Sequence, residues 1–201
     1  MKILLATNNK DKVFEIKKIF TIPDLQLLTL WDLNLEIDVN EDQNTLEGNA
    51  IKKAKTVFEI SGIPSVADDT GLFVEILNGK PGVFSSRYAG NNATYEDNYL
   101  KLLKELEKFP DDKRSAYFKT VVCYYFQPDK YLLLDGICKG KIAFQPQGKN
   151  GFGYDPIFIP NGFSQTYAEM SIEQKNAISH RNKAFTKLND YLYNLKYKHT
   201  F

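Results

Sequence analysis

Short apolar runs alternate with stretches of helical spacing along the first half of this chain. Lys2 to Thr7 is an apolar run that suits a buried strand. Asn8 to Asp11 then breaks the pattern, and Val13, Ile16 and Phe20 recur at helical spacing with lysines between them. A second strand is expected near Leu25 to Leu30, followed by the acidic stretch Glu36 to Asp42. The segment TLEGNAIKKAKTVFEISG predicts a helix with Ala50, Ala54, Val57 and Phe58 as its apolar stripe. Asn44 is its expected cap, Glu47 stands three residues on, and Gly62 is the stop. Val66 to Phe73 places Asp68 and Asp69 between a short apolar run and a further strand expected over Leu72 to Leu77.

The second half changes character. Asn78 to Gly82 reads as a turn, and Thr94 with Asp97 opens a helix carrying Tyr99, Leu102, Leu103 and Leu106. Ala116 to Phe126 and Lys130 to Cys138, separated by Gln127-Pro128-Asp129, predict a β-hairpin. Long antiparallel strands beside strand-helix units point to a mixed sheet. Gly148 to Pro156 is a glycine-rich loop, and Ser171 to Lys198 is expected to be one helix with Ala184, Leu188, Leu192 and Leu195 on one side. No repeat, low-complexity tract or linker interrupts the chain, so residues 1–201 are expected to form a single α/β domain.

Composition narrows the function classes. With 26 basic and 25 acidic side chains the net charge is +1, which gives no general case for binding nucleic acid or a membrane surface. No apolar run approaches the ~18 residues of a membrane span, and MKILLAT is too short an apolar run for a signal peptide. Cys123 and Cys138 have neither CxxC spacing nor a Cys/His cluster around them, which favours core thiols and a cytoplasmic location.

Candidate chemistry centres on Asp68 and Asp69. Two carboxylates at the end of an apolar run must be neutralised, hydrated or used. They hold a divalent metal over a phosphate, or they form a solvated turn; the segment alone leaves both readings open. The loop before the first helix offers backbone N–H groups to an anion, with Lys10 and Lys12 beside it. Lys53 stands on the flank of the next helix, Phe152 and Tyr154 sit among glycines where a ring can stack on a flat base, and Lys175, His180 and Arg181 form a cationic patch.

Five separated segments fit one pattern in order and spacing: ATNNKDK, TLEGNA, ADDTGL with PGVFSSRYAG, GFGYDPIF, and AISHR. Together they resemble the inosine triphosphate pyrophosphatase, or Ham1-like, family. The resemblance implies an α/β protein with a long mixed β-sheet flanked by helices, two lobes around a central cleft, and a homodimer. It implies Mg²⁺-dependent hydrolysis of ITP, dITP and XTP to the monophosphate and pyrophosphate. By matching position, Thr7, Asn8, Asn9, Lys10, Asp11 and Lys12 bind the triphosphate and Lys53 supports phosphate. Glu41, Asp69 and Asp68 hold metal, Asp69 is also the general base, and Thr70 contacts substrate. Phe152, Gly153, Tyr154 and Asp155 line the base, with Lys175, His180 and Arg181 completing the pocket. Asp11 stands where many relatives carry glycine, Gly48 where glutamate is common, and Phe73 where a charge is frequent.

Overall fold

The computed structural model describes residues 1–197, so Lys198 and His199, the latter given no role, lie outside the described residues. Among the described residues seven strands form one sheet, in the order β2 (Gln26–Thr29), β1 (Lys2–Leu5), β3 (Ser65–Val74), β5 (Ser115–Gln127), β6 (Lys130–Ile142), β7 (Phe158–Pro160), with β4 (Pro81–Gly82) paired to β3. The chain gathers into two compact units. The first comprises Met1–Asp69, Thr120–Gly136 and the segment from Arg181 onward; the second comprises Thr70–Lys119 and Ile137–His180.

In the first unit, β1 (Lys2–Leu5) lies parallel to both β2 (Gln26–Thr29) and β3 (Ser65–Val74), with Leu4 facing Leu28 on one side and Ser65 on the other. Parallel neighbours need crossovers, and α1 (Lys10–Lys17) and α2 (Leu46–Ser61) supply the helices of these. The core of this unit joins Ile3, Leu5, Val13, Ile16, Val66, Val122 and Tyr124 to Ala184, Phe185, Leu188 and Leu192.

The second unit holds β4 (Pro81–Gly82), α3 (Tyr95–Glu105), β7 (Phe158–Pro160) and α4 (Ile172–Ile178). β5 (Ser115–Gln127) and β6 (Lys130–Ile142) run through both units, as β3 does. The core of the second unit combines Leu72, Val74, Leu102, Leu106 and Phe118 with Tyr154, Phe158, Tyr167 and Met170. Arg114 is buried because its guanidinium donates to the carbonyls of Leu106, Phe109, Ile142 and Ala143. Among the described residues no helix is long and apolar enough to cross a membrane.

Four expectations about local structure change. β3 is one continuous strand from Ser65 to Val74, so Asp68 and Asp69 lie inside it and the turn reading fails. The strand expected to reach Leu77 ends at Val74, and Glu75–Leu77 is a 3-10 turn leading to Asn78 at φ 53°. The cap of α2 is Thr45, whose Oγ1 accepts the Gly48 N–H at 3.0 Å; with glycine at that third position no side chain reaches back to complete a box. The expected single C-terminal helix is two, α4 and α5 (His180–Tyr197), because Ser179 is extended (φ −69°, ψ 153°). Along α5, Leu195 is exposed and Phe185 takes its place in the core. Thr94 and Asp97 do form the reciprocal cap at the start of α3.

Candidate active site

Buried charges converge in the first unit. Asp68 and Asp69 point out of β3 with only 2% and 5% of their surface exposed. Lys12, on the first turn of α1, brings its Nζ to 3.1 Å from Asp68 Oδ2, and Arg181, at the start of α5, places Nε 3.5 Å from the same oxygen. Glu15 in turn holds Arg181 Nη1 at 2.5 Å. Lys53, on α2, donates to Glu41 Oε1 at 2.5 Å, to the Asp68 carbonyl at 2.8 Å and to Asp69 Oδ1 at 3.2 Å. Asn49, one turn before Lys53, donates its amide N–H to Asp69 Oδ2 at 3.0 Å.

The two neighbouring carboxyls are driven apart. Burial alone would raise Asp68, but Lys12, Arg181 and Lys53 overcome it and hold this carboxyl well below its ordinary value. For Asp69, burial wins: with Glu41 adding to it, the carboxyl is raised although Lys53 and Asn49 pull the other way. Burial would also raise Glu41, yet Lys53 holds it low. Lys53 itself is raised, because Asp69, Glu41 and Asp68 outweigh the penalty of burying an ammonium. Neighbouring carboxyls whose surroundings push them in opposite directions are a pattern met at acid–base sites.

Four carboxylates (Glu15, Glu41, Asp68, Asp69) thus face three cations (Lys12, Lys53, Arg181) in this cluster of described residues. One negative charge is in excess. Among the described residues no group of three or more His, Cys, Asp or Glu side chains is placed to hold a metal alone. Glu41 and Asp69 nevertheless aim oxygens at one shared point, where the Lys53 ammonium stands. Asp68 is directed instead at Lys12 and Arg181.

Side-chain hydrogen bonds hold the loop before α1. Asn9 caps the helix by accepting the Lys12 N–H, Thr7 Oγ1 accepts the Asn9 N–H, and the Asn8 amide donates to the Ile37 carbonyl. Lys10 departs from the cluster, with Nζ 5.9 Å from the Trp31 ring centroid, and Asp11 is exposed.

The second unit carries the other predicted side chains. Asp155 Oδ2 accepts the Phe152 N–H at 2.8 Å and the Lys175 ammonium at 2.6 Å, and both Asp155 and Lys175 are buried. Gly151 and Gly153, at φ 73° and 63°, let the loop fold back tightly enough for the first of these bonds. Lys175 also lies 4.9 Å from the Phe152 ring centroid and 5.5 Å from that of Tyr167. Phe152 is only half-buried, whereas Tyr154 is buried and donates its hydroxyl to the Ser85 carbonyl, a packing arrangement. His180 stacks on Phe118 at 4.4 Å between centroids, and Thr70 is half-buried.

Asn49, Glu15 and Phe118 contact these predicted residues without having been singled out. Glu15 had a readable signal: Lys12, Glu15, Ile16 and Ile19 fall at i, i+3, i+4 and i+7, so a carboxylate shares a face with core positions. Asn49 lies inside the matching segment TLEGNA, but its pairing with Asp69 is not readable there, and Phe118 had no signal, because each is defined by a partner distant in sequence.

A mixed-sheet α/β protein with a buried cluster of opposed carboxylates and cations is the class that fold and site define. Residues 3–191 match the Ham1 family. The dITP/XTP pyrophosphatase of Thermoanaerobacter pseudethanolicus is 50% identical over 193 residues, covering 96% of both chains. That of Flavobacterium psychrophilum is 48% identical, covering 96% of this chain and 100% of the relative. A HAM1 protein from Coxiella burnetii superposes with a TM-score of 0.87 at 39% identity, over 96% of this chain and 98% of the other. The chain belongs to the Ham1 family.

Proposed function

We propose that this protein hydrolyses deaminated purine nucleoside triphosphates, dITP, ITP and XTP, to the monophosphate and pyrophosphate. The reading is supported by relatives named dITP/XTP pyrophosphatases and carried by one observation: Glu41 Oε1 and Asp69 Oδ1 converge on a single cation position, filled here by the Lys53 ammonium. Two carboxylates offer the hard oxygen donors that would suit Mg²⁺. Glu41 and Asp69 are therefore the residues assigned to it, and Asp68 to ordering Lys12 and Arg181. When bound, Mg²⁺ offsets the charge on the phosphate oxygens.

The chain's own groups do the rest. Asp69 accepts the proton of the attacking water as the bond from the α-phosphorus to the bridging oxygen breaks. Lys12 and Lys53 neutralise the charge that grows on the departing pyrophosphate. For the purine, a 6-carbonyl satisfies a donor such as His180, Arg181 or a backbone N–H, whereas the amino group of adenine leaves it unmet. That mismatch costs about 1–3 kcal/mol, or roughly 5- to 150-fold in affinity. The Phe152 ring is assigned to stacking, with Lys175 and Asp155 holding its loop in place.

The protein is assigned to the cytoplasm, where its two free buried thiols stay reduced, and to a homodimer on the family resemblance. The test is a panel of dITP, XTP, GTP and ATP with Mg²⁺, read separately for pyrophosphate and orthophosphate. Pyrophosphate from dITP and XTP is expected; orthophosphate as first product, or ATP turned over as fast as dITP, overturns the reading.

A further inference from the structure

Asn49 is a buried amide in the second turn of α2, with 1% of its surface exposed. Both ends of its carboxamide are engaged. The backbone N–H of Gln43 donates to Oδ1 at 3.0 Å, and because that N–H can only donate, the amide nitrogen is turned the other way, to Asp69 Oδ2 at 3.0 Å. One side chain therefore ties the loop that carries Glu41 to the carboxylate of Asp69. Gly48 makes the approach possible, since a Cβ there would stand 2.9 Å from Gln43 Cβ.

The geometry at Asp69 is divided between its oxygens. Oδ2 is occupied by Asn49, and Oδ1 faces the point where the Lys53 ammonium and Glu41 Oε1 meet. A carboxylate on a strand can rotate about χ2, and a fixed donor on one oxygen removes that freedom. We infer that Asn49 is a positioning residue: it aims Asp69 Oδ1 at the cation position and holds Glu41 in register with it, although it touches neither substrate nor metal. This rests on the assignment of Asp69 and Glu41 above. Partners that orient metal-binding side chains in this way are worth about 10- to 100-fold in activity or metal affinity.

The experiment compares wild type, Asn49→Ala, Asn49→Leu, Asp69→Asn and the double variant Asn49→Ala/Asp69→Asn in steady-state hydrolysis of dITP. Asn49→Ala removes both bonds, and Asn49→Leu removes them while keeping the volume and adding no charge, so it carries the test if the alanine variant does not fold. Both are expected to lower kcat about 10- to 100-fold with KM changed by less than about threefold. In the Asp69→Asn background the Asn49→Ala change is expected to cost nothing further. Titration of the proteins with Mn²⁺ alone, reading the free ion by electron paramagnetic resonance, is expected to show about 10-fold weaker binding in the Asn49 variants. An equal loss in both backgrounds, or unchanged Mn²⁺ affinity, overturns the inference in favour of a packing role. Full activity of Asp69→Asn overturns the site assignment itself. Wild-type rates in the Asn49 variants beside an inactive Asp69→Asn overturn only the role of Asn49.

Discussion

Replacing Asp68 by asparagine keeps the shape of a buried side chain and removes its charge. Lys12 Nζ and Arg181 Nε, 3.1 and 3.5 Å away, then face each other across a neutral group. At those distances and an effective dielectric near 20, each attraction is worth about 5 kcal/mol before desolvation is counted. Much of that offsets the burial of the ions, and breaking such a pair from one side costs about 3–5 kcal/mol net. For a chain of this size that corresponds to a fall in Tm of roughly 6–20 °C. The assay is thermal and urea unfolding of both proteins from pH 7 down to pH 3. Because the Asp68 carboxyl is held below its ordinary 3.8 in the folded state, the unfolded chain takes up the proton first. Stability from the ionised group is then fully present above the ordinary value and lost as pH falls through the lower folded one. The gap between wild type and Asp68→Asn is therefore constant near neutrality and narrows below about pH 4. A gap under ~1 kcal/mol at pH 7, typical of an exposed pair, refutes the reasoning, as does a gap that widens in acid.

Other consequences are testable separately. Chelation with EDTA is expected to abolish pyrophosphate release and added Mg²⁺ to restore it, read in the same coupled assay; activity surviving chelation removes the role given to Glu41 and Asp69. Glu15→Gln takes away the anion that fixes the Arg181 guanidinium and is expected to lower catalytic efficiency on dITP about 10-fold, measured by steady-state kinetics. Lys175→Met leaves the Asp155 carboxylate buried without its ammonium, and urea unfolding is expected to show a loss of about 3–5 kcal/mol. Thr45→Ala deletes the cap of α2 and is expected to cost about 0.5–2 kcal/mol in the same assay with kcat unchanged.

Much of the architecture was legible along the chain because its determinants are local. The helical spacing after Asn8, the reciprocal cap at Thr94 and Asp97 and the stop at Gly62 each depend on neighbours a few residues away, and each element forms where that chemistry places it. The same locality could not decide the place of Asp68 and Asp69. Two adjacent aspartates favour a turn on local grounds, yet they stand inside β3 because Lys12, Lys53 and Arg181, from three helices, neutralise them there. The residue types of the site, carboxylates, lysines and an arginine spread over separated segments, belonged to the sequence alone. Which carboxyl stays charged, which is raised, and that Asn49 pairs with Asp69 and Glu15 with Arg181 were decided only by tertiary structure. Such properties depend on burial and on distances of about 3 Å between residues far apart in the chain, and no periodicity encodes those distances.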